Sequence, residues 1–130
     1  MPILNVTVGA MRSLSLTQEI SHMLSEATST ILGKDPKVTA IAVGYINPED
    51  WIVAGSSLAV QGRASFQLEI KVTDETNTKD EKARYIEAVF NGFNRILGSI
   101  HEESYIHVHD VRAASYGYGG QTQEYRYHHR

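Results

Sequence analysis

Apolar and polar residues alternate from the third position: Leu4, Val6 and Val8 against Ile3, Asn5 and Thr7. A period of two marks a strand with one buried face. The period then lengthens. Leu16, Ile20, Met23, Leu24, Ala27 and Ile31 recur three or four residues apart, the spacing of an amphipathic helix. Ser15 or Thr17 is expected to cap its start, Gly33 to close it and Pro36 to prevent its continuation. A second strand-like run, Thr39 to Val43, follows, and Asn47-Pro48 opens a loop that runs to Ser57.

The pattern then repeats at an offset of 65, half the 130-residue chain. Ile31-Leu32-Gly33 matches Ile96-Leu97-Gly98, and Thr39 to Val43 matches Ser104 to Val108. The helix positions Ile20, Met23, Leu24 and Ala27 fall on Tyr85, Ala88, Val89 and Gly92, and Ile3 to Val8 falls on Leu68 to Thr73. Thr78 or Asp80 would open the second helix and Gly98 would end it. One offset aligning strand, helix and strand implies a duplicated β-α-β unit. Such a unit makes its two strands parallel and lays the helix on one face.

The expected fold class is therefore α+β: a tandem β-α-β repeat, about 2–46 and 64–111, in a single domain covering 1–130. Its four-stranded mixed sheet would carry two helices on one face. The other face would be bare, and its apolar positions would require a partner. Beyond Val111 the chain turns Gly- and Tyr-rich, a tail that cannot build a core alone. It would clasp a neighbour or remain partly disordered.

Composition narrows the function. The net charge of −3, with both signs interspersed, gives no electrostatic footprint for nucleic acid or an anionic membrane. Without cysteine there are no disulfides, thiolate nucleophiles or Cys-bound zinc. Neither a signal peptide nor a spanning segment is visible, so a cytoplasmic protein is expected. The chemistry begins at Pro2. If Met1 is cleaved, Pro2 becomes a secondary amine at the head of a strand, basic and nucleophilic where a mid-chain amide would be neither.

Pro2, the doubled β-α-β unit and the length near 130 together resemble the tautomerase superfamily, which includes 4-oxalocrotonate tautomerase and macrophage migration inhibitory factor. Leu32-Gly33-Lys34-Asp35-Pro36, Gly55-Ser56-Ser57, and Ser104-Tyr105-Ile106-His107 leading to Asp110 echo the same family. The resemblance implies a homotrimer of the migration inhibitory factor type and a cofactor-independent tautomerase. Pro2 would be the general base, Lys34 the pocket lysine and Tyr105 a tyrosine reaching the adjacent subunit's site. His107 would line the pocket where that factor has an asparagine. The substrate would be a small α-keto acid or unsaturated carboxylate.

Each assignment has a plainer counterpart. Lys34 follows a helix C-terminus, where any cation is favoured, and Tyr105 fits a strand for its packing alone. Arg12 and Arg63 are candidate carboxylate clamps, because the guanidinium fork matches a carboxylate, yet loop arginines are commonly just solvated. Lys71 would line the pocket or simply charge a strand edge. His107 and His109 alternate on one strand face, and such a pair binds metals elsewhere. His101, Asp110 or His128-His129 would have to supply a third ligand. We expect neither metal nor cofactor.

Two alternatives remain open. One is decarboxylation, hydration or dehalogenation of a three-carbon acid by the same proline. The segment Val72 to Thr78 lacks the arginine pair those family members carry, which ranks this reading lower. The other is a trimer that binds a ligand or protein without catalysis.

Overall fold

A computed structural model describes residues 2–129. The first unit comprises β1 (Ile3–Gly9), α1 (Leu14–Leu32) and β2 (Ala40–Ile46). A hairpin of β3 (Ile52–Val53) and β4 (Ser56–Ser57) and the one-turn helix α2 (Leu58–Gln61) connect it to the second unit. That unit comprises β5 (Ser65–Thr73), α3 (Lys79–Leu97) and β6 (Tyr105–Val111). The tail forms β7 (Gly117–Tyr118), β8 (Gln121–Thr122) and α4 (Gln123–His128).

Both long helices start at a side-chain cap, and the first begins earlier than the apolar spacing suggests. Ser13, rather than Ser15 or Thr17, caps α1, its Oγ accepting from the Leu16 amide at 2.9 Å. Thr78 caps α3 in a reciprocal box: its Oγ1 accepts from the Glu81 amide, and the Glu81 carboxylate accepts from the Thr78 amide. Gly33 ends α1 at φ 69°, a left-handed conformation that would strain any side chain.

The four long strands form one mixed sheet in the order β2-β1-β5-β6. The β1/β2 and β5/β6 pairs are parallel, and β1 runs antiparallel to β5 between them. Helices α1 and α3 and strands β2 and β6 obey the offset of 65, but the opening strands do not. Ile3 pairs with Ala40 in the first unit, whereas Gln67 pairs with Tyr105 in the second. The equivalent of Ile3 is thus Gln67, at an offset of 64. The reason is parity. Leu4, Val6 and Val8 are buried, and so are Leu68, Ile70 and Val72. A constant 65 would set those three against Glu69, Lys71 and Thr73 and turn every side chain to the wrong face. The turn from β5 to α3 absorbs the difference with one residue more than the turn from β1 to α1, and Glu75 within it has φ 63°.

Both helices pack on the same face, where Ile20 and Leu24 of α1 and Tyr85, Val89 and Phe93 of α3 meet the buried strand residues. Phe66 stacks on Phe93 with ring centroids 3.9 Å apart. Burying one such side chain is worth about 1.5–3 kcal/mol, so the contact of helices with sheet is the main source of stability. The opposite face is bare of helices, as expected, and its larger apolar positions are Ile3, Ile46 and Val111. It carries Asn5, Thr7, Gln67, Glu69, Lys71, Tyr105, His107 and His109, with Ala40, Ala42 and Gly44 at one edge. Of the two expectations for the tail, a clasp on a neighbour or partial disorder, the second does not hold: the tail is an ordered hairpin and a helix capped by Thr122. No helix among the described residues is long and apolar enough to cross a membrane.

Candidate active site

Pro2 is buried at the head of β1, and its carbonyl accepts from the Ala40 amide at 3.2 Å. Because β5 runs antiparallel, its last residues, with the turn after them, lie at this same end of the sheet. Lys34 emerges there from the left-handed turn at Gly33. Its Nζ donates to Thr76 Oγ1 at 2.9 Å, and Thr76 in turn donates to the Thr73 carbonyl. Burial pushes the Lys34 ammonium below the ordinary lysine range, while the charges of Glu81 and Asp110 pull it partly back. Asp110 is itself held by Lys82, 2.6 Å away.

The tail closes over this end. Tyr116 and Thr73 share a hydroxyl hydrogen bond of 2.7 Å, and the Asp74 amide donates to the Val111 carbonyl. A cleft of about 530 Å³ opens between the Asp35–Val38 stretch and the tail, lined also by Tyr118, Tyr125, Arg126 and Tyr127. The Arg126 guanidinium lies 3.9 Å over the Tyr118 ring and donates twice to the Tyr118 carbonyl, at 2.9 and 3.2 Å. Ring and carbonyl fix this cation in place. Sequence reasoning did not reach Arg126. Its only signals are the flanking Tyr125 and Tyr127 and the tyrosine eight residues before it.

Other expected site residues lie elsewhere in the chain. Tyr105 pairs with Gln67, and Gln67 with Thr7, so Tyr105 sits five strand positions from Pro2, about 17 Å along the sheet. It is 58% exposed, and its hydroxyl donates to the Glu103 carboxylate, which raises its pKa. Arg12, in the turn after β1, and Arg63, before β5, are both exposed at that far end. Arg63 borders a cleft of about 480 Å³ with Gly9, Met11 and Leu58. The structure therefore groups Pro2 with Lys34 at one end of the sheet and Tyr105 with Arg12 and Arg63 at the other.

Lys71 and His107 occupy the helix-free face. Lys71 is half-buried opposite Ile3, and His107 lies opposite Glu69 with its ring stacked 3.8 Å from that of His109. The third donor beside the two histidines is Glu69, which the sequence reading did not consider. His101 instead accepts from the Glu103 amide, and His129 bonds the Tyr125 carbonyl.

No protein-family model matches this sequence, and no curated protein matches it. Solved structures match it along nearly its whole length. A symmetric trimer of a fused 4-OT superposes with a TM-score of 0.80 at 20% identity, covering 94% of this chain and 96% of that one. The chain has the tautomerase-superfamily fold. The same fold appears in a macrophage migration inhibitory factor-like protein from Entamoeba histolytica, with a TM-score of 0.76, 17% identity and coverage of 93% and 97%. It appears again in a malonate semialdehyde decarboxylase inhibited by 3-bromopropiolate, with a TM-score of 0.74, 15% identity and coverage of 98% and 97%. At these identities the likeness is one of fold. Within that tautomerase fold, the site of this chain rests on its own residues.

Proposed function

We propose that this chain is a cofactor-independent tautomerase that uses the Pro2 amine, freed by removal of Met1, as general base on a small α-keto or unsaturated carboxylic acid. The observation that carries the reading is the pairing of a buried Pro2 with a partly buried, depressed Lys34 at one end of the sheet. Burial disfavours an ammonium, so a proline amine there is held toward its neutral, proton-accepting form. It removes a proton from the carbon alpha to the carbonyl and returns it to the other terminus of the enolate. The Lys34 ammonium supplies positive charge to the enolate oxygen or the carboxylate. Arg126 lines the cleft beside Asp35, the residue after Lys34, and its held guanidinium suits a carboxylate. One similar decarboxylase is inhibited by 3-bromopropiolate, itself a small unsaturated carboxylate.

The reading also calls for an oligomer. Tyr105, Arg12 and Arg63 stand about 17 Å from Pro2 in their own chain, so a second copy would supply them. A homotrimer, as in the fused 4-OT relative, is the assembly we propose. His107, engaged with His109, is not needed for it. The test joins intact mass with turnover of enol-phenylpyruvate. A chain lacking Met1, whose Pro2→Ala variant loses about a hundredfold or more, supports the base. Retained Met1, or equal rates in both proteins, would leave a binding protein on the same fold.

A further inference from the structure

On the helix-free face two imidazoles and one carboxylate converge, with His109 level with Ile3 across the sheet. His107 and His109 project from the same side of β6 with ring planes 22° apart. Glu69 faces His107 across the β5/β6 ladder. One donor atom from each of the three lies within 4.8 Å of the others. His109 Nε2 is the telling atom: it is buried, has no hydrogen-bond partner, and stands 3.7 Å from the Glu69 carboxylate. A buried ring nitrogen without a partner is costly in an otherwise satisfied fold. Here it is aimed at a carboxylate that also lacks a close contact to it.

We propose that Glu69, His107 and His109 form a site for a divalent first-row transition metal, with Zn²⁺ the cation it fits. Two neutral imidazole nitrogens and one carboxylate oxygen are a recognised zinc set that leaves a coordination position to solvent. Zinc–ligand distances of about 2.0–2.2 Å at tetrahedral angles place donors about 3.3 Å apart. The present spacing, at most 4.8 Å and 3.7 Å between His109 Nε2 and Glu69, closes to that value by side-chain rotation, the stacked imidazoles turning so that both lone pairs meet the ion. All three ligands stand on paired strands of one sheet, which fixes their Cα positions before the metal arrives. The ion would clamp the edge strand β6 to β5.

The surroundings are mixed. Asn5, beside Glu69 on β1, offers a neutral outer partner. Lys71, opposite His109, brings a competing cation. It is half-exposed on a four-carbon stem, which lets its ammonium reach solvent once an ion is bound. The site does not rest on the tautomerase reading; it spans β5, the neighbour of β1, and the edge strand β6.

The experiment uses the full chain, stripped with EDTA and titrated with ZnCl₂ by calorimetry, with metal content measured after dialysis. The expected result is one Zn²⁺ per chain in the wild type. His109→Ala, His107→Ala and Glu69→Gln should each bind at least about tenfold more weakly, and a His128→Ala/His129→Ala double variant should bind like the wild type. Co²⁺ should give visible bands that His109→Ala lacks. Should an alanine variant misfold, His109→Gln and Glu69→Gln carry the same comparison. Equal binding by wild type and the His109 variants, loss of binding only with the tail histidines, or no retention by the wild type would each overturn the site.

Discussion

Thr28 on α1 and Tyr85 on α3 share a hydroxyl hydrogen bond of 2.9 Å, with both side chains fully buried. It is a polar rivet between the two repeats among the buried apolar residues Ile20, Leu24, Val89 and Phe93. The two partners are not equivalent. Thr28→Val leaves the Tyr85 hydroxyl buried and unpaired, at a cost of about 1–3 kcal/mol. In Tyr85→Phe the Thr28 hydroxyl can turn back to a carbonyl of its own helix, so the loss should be smaller. The double variant should lie above the sum of the singles, because no orphaned hydroxyl remains. Denaturant unfolding of the four proteins checks the order.

Burial also pushes the Tyr85 phenol up to about 12. The unfolded chain therefore ionises first as the solution passes pH 10. Stability should fall between about pH 10 and 12 on that account, and Tyr85→Phe should show a shallower alkaline decline.

Gly9 ends β1 beneath Trp51 and Leu58. A Cβ there would stand 2.7 Å from Leu58 Cδ1 and 2.8 Å from Trp51 Cε3. Leu58 can give way, but the indole plane cannot. Gly9→Ala should cost about 1–3 kcal/mol and alter the fluorescence of Trp51, the one tryptophan. Unchanged emission and an unchanged melting temperature would show that the connection yields instead.

Burial of the Lys34 ammonium comes at some expense of stability. Its folded-state pKa lies below 10.5, chiefly through burial. Between that lowered value and 10.5 the unfolded chain binds more protons, so the wild type gains stability as pH rises through the window. Lys34→Met has no such term. Its melting temperature relative to the wild type should be highest near neutrality and fall back as pH climbs, while its turnover drops. A constant gap across pH would contradict the depressed lysine.

A site assembled from two ends of the sheet predicts complementation. Pro2→Ala and Tyr105→Phe, each deficient alone, should regain activity when mixed and reassembled. With random assortment in a closed ring, about a quarter of the interfaces carry both native residues. Turnover near that fraction supports the shared site, and none would confine the chemistry to one chain.

Much of this architecture was legible in the periodicities. The doubled strand–helix–strand order and both glycine stops follow from local physics. Ser13 was missed because a cap is chosen by which serine faces the Leu16 amide, which spacing alone does not reveal. The opening strands were misaligned by one residue because helices and closing strands dominate the match, while parity appears only in the ladder. Glu69 was invisible for a related reason: its nearness to His107 is a matter of register across 38 positions. Tail residues such as Arg126 owe their positions to contacts like those with the Tyr118 ring and carbonyl, and a composition rich in Gly and Tyr does not encode these.

The extra residue before α3 has a consequence for how many reaction centres the molecule can hold. Under the observed alignment, Pro2 corresponds to Phe66 and Lys34 to Ser99. Phe66 is an internal residue whose ring is stacked on Phe93, and its nitrogen is an amide. On the proposed mechanism, duplication supplies two scaffolds but one amine, so each chain would offer a single centre, and its second half would be released to build walls for someone else's.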